Sequence, residues 1–156
     1  MRSTGLLLLL LAALGCFAGS SDPMQIAKAH VLAVMNAIEV KDEDVMKDLF
    51  KTDKDDMTHV LHFIQVFQGV KATVQTASTL KDGSIEAKLF FNGKIPGSIV
   101  LQKNAASPTG YHITAIGAKK NKNGIKKNFV EFSMCYIGLL WCAIELVVDC
   151  LDGKTC

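Results

Sequence analysis

From residue 23 onward, apolar side chains recur at steps of three and four. Met24, Ala27, Val31, Val34, Met35 and Ile38 fall on one stripe, with Gln25, Lys28, Asn36 and Glu39 opposite. That spacing predicts an amphipathic helix over 23–40. Asp22 can cap it, and Pro23 suits its first turn. A shorter helix is predicted over 42–50. Asp42, Glu43 and Asp44 crowd its start, where the helix dipole favours acids, and Val45, Met46, Leu49 and Phe50 form its apolar side. A third is predicted over 55–68, with Met57, Val60, Leu61, Ile64 and Phe67 inward and Gly69 closing its end.

Near Gly69 the period changes to two. Val70, Ala72, Val74 and Thr76 alternate with Lys71, Thr73 and Gln75. Asp82-Gly83 and Asn92-Gly93 are hairpin turn signals, and between them Ile85, Ala87, Leu89 and Phe91 form the next inward row. Pro96-Gly97 interrupts the third strand early, which predicts an edge or a bulge there. Tyr111 to Ala118 reads as a fourth strand, with Tyr111, Ile113 and Ala115 on one face. Three helices followed by an antiparallel meander describe an α+β domain, its N-terminal helices packed on a curved four-stranded antiparallel sheet. A polar, lysine-rich linker (121–128) and a hydrophobic, cysteine-containing extension (129–156) follow.

The chain's first residues add a destination. One positive charge at Arg2, an unbroken apolar run from Leu6 to Leu14, and the small residues Ala18-Gly19-Ser20 have the order of a secretory signal peptide. Cleavage is expected after Ser20, leaving a domain over 21–120 and a secreted, extracellular product. Arg2 is the only arginine among the 17 basic side chains, and the formal net charge is +2. A chain without arginine after its leader lacks the donor fork that reads phosphate, and a near-neutral one steers few charged partners. A nucleic-acid partner is therefore not expected.

The apolar run 129–148 is long enough to span a bilayer, and Glu131 and Glu145 lie near its ends. The lysines just before it sit on the wrong side for a single-pass anchor by the positive-inside rule. Membrane association through 129–148, an extra helix packed on the domain, and an atypical extension from an imperfect gene model remain as readings. Cys135 and Cys142 are seven residues apart; on a helix that is ~10.5 Å of rise, beyond the ~7 Å a disulfide allows. Cys150 and Cys156 are the disulfide candidates.

Residues 24–120 resemble the superfamily of nuclear transport factor two, and most of all its small exported members of unassigned activity that are common in nematodes. The resemblance rests on the leader, the opening amphipathic helix, the acid-rich second helix ending Asp48-Leu49-Phe50, and the meander Val70–Leu80, Ser84–Phe91, Ile99–Lys103 and Tyr111–Ala118. It implies a cystatin-like cone of helix and curved sheet. Family members usually carry a small strand pair between the second and third helices. Here Lys51 to Asp55 leaves little room for one, which puts a deep pocket in doubt. Superfamily enzymes place a carboxylate or histidine inside the cone. In this chain Tyr111 and His112 point to opposite faces and Glu86 is out of phase with the Ile85 row, so no acid–base pair assembles.

Other chemistry is thin. His59 and His62 share a helix face but lack a third metal ligand nearby in sequence. The acids from Asp42 to Asp56 do not follow the order of a calcium loop. No cofactor and no metal are expected. The function this sequence points to is a secreted, non-enzymatic binding module. The cone, lined by Val34, Ile38, Ile64, Ile85, Leu89, Phe91 and Ile113, is either a filled core or a pocket for a small apolar ligand. The alternatives are a protein-interaction or homodimerisation module, using the convex sheet face, and an isomerase- or dehydratase-like enzyme.

Overall fold

In a computed structural model, residues 22–54, 56–121, 130–135 and 138–151 are described. The leader, most of the lysine-rich linker, Cys156 and the side chain of Cys150 lie outside them, so the expected Cys150–Cys156 pairing does too.

Helix α1 spans Pro23–Val40, α2 Glu43–Leu49 and α3 Asp56–Phe67. Each begins on an aspartate. The Asp22 carboxylate accepts the Met24 N–H (3.0 Å), Asp42 that of Val45 (3.0 Å), and Asp53 that of Asp56 (2.8 Å). Each bond satisfies an amide that the first helical turn leaves without a partner. Helix α1 ends at Lys41 in the left-handed region (φ 58°), where its N–H closes on the carbonyls of Ala37 and Ile38. The buried face of α3 is Val60, Phe63, Ile64 and Phe67. Met57 and Leu61, expected inward, are exposed. Val60 and Ile64 lie between their ridge and that of Phe63 and Phe67, so burying the aromatic ridge turns Met57 and Leu61 outward.

The strands are β1 (Ala72–Thr79), β2 (Ile85–Phe91), β3 (Ile95–Lys103), β4 (Tyr111–Asn121) and β5 (Val130–Cys135). They form one antiparallel sheet in the order β1-β2-β3-β4-β5. The protein is thus α+β, with helices preceding the sheet as the pattern predicts. Asn92 (φ 49°) and Gly93 (φ 69°) turn β2 into β3. Pro96 is paired with Phe90 one residue before β4 joins at Gly97, so its missing N–H interrupts no ladder on that side.

Two bulges reset the inward alternation. Between Val74 and Thr76 the register slips, so Gln75 is extra and the inward row passes from Val74 to Ala77; Thr76, expected inward, is exposed. On β4, Leu101 pairs with Ile113 but Val100 with Ala115, leaving Thr114 extra. The inward row runs Ile113, Ile116, Ala118, and Ala115 turns to the other face. A bulge bends and twists its strand, which gives the sheet its curvature.

The expected separate extension is part of this fold. Instead of one long helix, the apolar run holds β5, paired to β4 from Ile116↔Cys135 to Asn121↔Val130, and then helix α4 (Leu139–Leu151). Leu140, Ala143 and Ile144 of α4 enter the main core. No described helix is long and apolar enough to cross a membrane. Cys135 and Cys142 are joined in a disulfide with Cα atoms 6.0 Å apart. The expectation that they could not pair assumed a helix throughout. The chain instead changes from strand to helix around Gly138 (φ 59°), which brings the two within disulfide range.

Candidate functional site

Helices α1 and α3 and the concave face of the sheet enclose a cavity of about 50 Å³, lined by apolar side chains alone. Of the residues expected there, Val34, Ile38, Leu89, Phe91 and Ile113 line it. Ile64 and Ile85 do not, although both are buried in the core. Ile85 sits at the far end of β2, opposite Thr79 and Leu101. On α3 the wall is made by Phe63 and Phe67 instead. Their rings stack at 4.2 Å between centroids, Phe50 packs edge-on against Phe63 (5.3 Å), and Phe67 meets Phe91 (6.2 Å). The i, i+4 spacing of Phe63 and Phe67 was a readable signal for this wall.

Gly97 shapes the sheet side of the cavity. A Cβ there would lie 2.6 Å from Cε2 of Phe91 and 3.2 Å from Cδ1 of Leu89. The absence of a side chain leaves the room that the Phe91 ring occupies beside β3. Where the cavity reaches the surface, its lining is half-buried: Val34 and Met35 of α1, Val70, and Ala72 of β1. The Met35 sulfur accepts the Ala72 N–H at 3.4 Å.

No ionisable side chain lines the cavity. The one fully buried histidine, His30, faces away toward the end of α2 and the loop after β3. Its Nε2 bonds the Leu49 carbonyl (3.1 Å), so Nε2 carries the proton and Nδ1 accepts from the Thr109 hydroxyl (2.7 Å). Thr109 has one proton and a second acceptor within reach, the Tyr111 carbonyl at 3.2 Å; the shorter contact takes it. Burial holds the His30 pKa at about 4, against a smaller upward pull from the Leu49 carbonyl. A neutral imidazole locked between a carbonyl and a hydroxyl ties α1 to α2 and to the 104–110 loop. His112 accepts from the Asn104 amide (3.1 Å), and partial burial, then the charge of Lys51, pushes its pKa down.

Asp56 is, with His30, one of the two buried ionisable side chains among the described residues, and the sequence did not single it out. Only 1% of it is exposed, and its two oxygens accept the N–H groups of Leu139 (3.2 Å) and Leu140 (3.0 Å). It caps α4 from 83 residues away in the chain. Beside it, the Trp141 ring lies over His59 (4.8 Å) and His62 (6.2 Å), and its indole N–H donates to Glu145 (2.9 Å). The two histidines that share a face of α3 thus pack on an aromatic ring. No group of three metal-ligating side chains occurs among the described residues. Of the strand pair usual in the resembled superfamily, the described residues between α2 and α3 hold a single bridge, Phe50 to Ile113.

Compared with protein families, with curated proteins and with solved structures, the chain matches none of them.

Proposed function

We propose that this protein is an exported binding module that carries a small apolar ligand in the cone between α1, α3 and the sheet. The observation that carries the reading is the cavity itself, which reaches the surface, is lined by no polar side chain and holds no group able to move a proton. Apolar cavities stay dry and take up apolar guests, whereas an acid–base enzyme needs a titrating group within ~3 Å of its substrate. The order of three helices before a curved antiparallel sheet supports the resemblance to the nuclear transport factor two superfamily, a fold that hosts both enzymes and binding proteins. Secretion is part of the proposal and rests on the leader's charged, apolar and small-residue order.

Two measurements test it. Expression with the leader intact, followed by intact-mass analysis of the medium, should recover the chain from residue 21; retention in the cells would overturn export. Methyl carbon–proton spectra of that product, titrated with pentane-saturated buffer, should shift Val34, Ile38, Leu89 and Ile113 before other methyls. Unchanged cavity methyls at saturation would sink the binding reading.

A further inference from the structure

If the cone binds a ligand, as proposed for its function, the mouth of the cavity defines that ligand more closely than the apolar floor does. At about 50 Å³ the void is roughly a third of the ~150 Å³ engineered cavity that admits benzene. A ring does not fit without rearrangement. The tip of an unbranched chain does, because it enters end-on and needs only the width of a methylene.

The element that can yield is Met35. Its side chain is unbranched, half-buried and at the opening, and methionine changes rotamer at little cost. It also performs an unusual task. Ala72 opens the edge strand β1, and its N–H points away from β2 to the Met35 sulfur at 3.4 Å. Next to it, Lys71 and Asn92 satisfy one another across the strands, with Asn92 N–H to Lys71 O at 2.7 Å and Lys71 N–H to Asn92 Oδ1 at 2.9 Å. A thioether is a weak acceptor, so Ala72 keeps a backbone donor on the rim of an apolar hole, ready for a better partner. When Met35 swings out to admit a chain, that donor is released. The rim is also positive. Lys71 lies between the mouth residues Val70 and Ala72, Lys94 follows the turn after Phe91, and both side chains are exposed. Among the described residues neither lysine is in an ion pair. Lys71 alternates with the inward Val70 and Ala72 and so leaves from the outer face, and a long lysine stem lets an ammonium group bend around the sheet end toward the opening.

We infer that the cone binds a slim single-chain amphiphile with an anionic acceptor head, a straight-chain carboxylate; this assignment rests on the binding function. The tail takes the cavity, and the carboxylate takes the Ala72 N–H from Met35 under the charge of Lys71 and Lys94.

The test compares four probes on the purified full product: octanoate, octanol, octyltrimethylammonium and adamantane carboxylate. Octanoate should shift the cavity methyls, the Met35 methyl and the Ala72 amide together. It should bind about tenfold tighter than octanol, the scale of one hydrogen bond to a charged group, with the gap narrowing as salt is added. Octyltrimethylammonium, with the opposite head charge, should bind more weakly than octanol. Ala72→Pro, at the first residue of an edge strand where proline is tolerated, should erase the preference for octanoate over octanol, read as the ratio of the two affinities in the same variant. Met35→Leu removes the sulfur that competes for the Ala72 N–H and should widen the preference for octanoate over octanol. Equal binding of octanoate and octanol, or a silent Ala72 amide, overturns the head-group assignment while the cavity function stands. Adamantane carboxylate binding as well as octanoate overturns the straight-chain assignment. If no octyl probe moves the cavity methyls, the binding function itself fails and this inference with it.

Discussion

Replacing Asp56 with alanine should detach helix α4 from the body of the protein. The carboxylate is buried and accepts two backbone N–H groups, from Leu139 and Leu140, at 3.2 and 3.0 Å. Alanine leaves both amides, on the buried residues Leu139 and Leu140, without that acceptor. Losing an N-cap side chain costs about 0.5–2 kcal/mol in helices generally. Hydrogen bonds to a charged group contribute about 1.5–3 kcal/mol each, and stranding a buried donor adds its desolvation. The alanine also removes a buried charge, whose own desolvation cost disappears with it. The balance for Asp56→Ala is a loss of about 3 kcal/mol, and for Asp56→Asn, which keeps one acceptor oxygen, about half of that. Urea unfolding gives the equilibrium loss. Trp141, the chain's only tryptophan, gives the local readout, because it sits two residues past Leu139 on α4 and packs on His59 and His62 of α3. Its fluorescence should move toward that of a solvated indole in the variant, at denaturant concentrations where the far-ultraviolet dichroism still reports a folded sheet. A loss below about 1 kcal/mol with unchanged Trp141 emission would refute the reasoning, since α4 would then be held by its apolar face alone.

Gly97→Ala should destabilise the protein by about 1–3 kcal/mol, the usual cost of overpacking, because the new methyl meets the Phe91 ring at 2.6 Å. Thermal melting checks this, and a change under about 0.5 kcal/mol would show that the ring slides away freely. His30 gives a pH signature. Its pKa is lowered from 6.5 to about 4 on folding, chiefly by burial, so between those values the unfolded chain binds more protons. The stability it contributes is full above pH 6.5 and is lost as pH falls toward 4, about 3 kcal/mol in all. Urea midpoints from neutral pH to about 4.5 should fall for the wild type and fall much less for His30→Gln, which keeps a donor and an acceptor; parallel curves would contradict this assignment.

Much of this fold is written locally. Periods of three-to-four and of two, aspartates at helix starts and glycines at turns act between near neighbours, so α1 with its Asp22 cap, the acid-rich start of α2, and the β2 hairpins were legible from residues alone. The cavity was partly legible for the same reason, since Leu89, Phe91 and Ile113 follow strand alternation. Phe63 was missed because α3 rolls to bury its aromatic ridge, and Ile85 was misplaced because alternation fixes a face but not a position along it. Other features have no local signal. An unbroken apolar run satisfies a strand and a helix equally, and only the open edge of β4 and the flank of α3 divide 129–148 into β5 and α4. That division brings Cys135 to Cys142, and Asp56 to the start of a helix more than 80 residues away. The bulges at Gln75 and Thr114 are settled by the strands they pair with. Short-range chemistry determines which elements form. Which partner each element meets, and so which polar group is satisfied and where space is left empty, is decided by packing the whole chain at once.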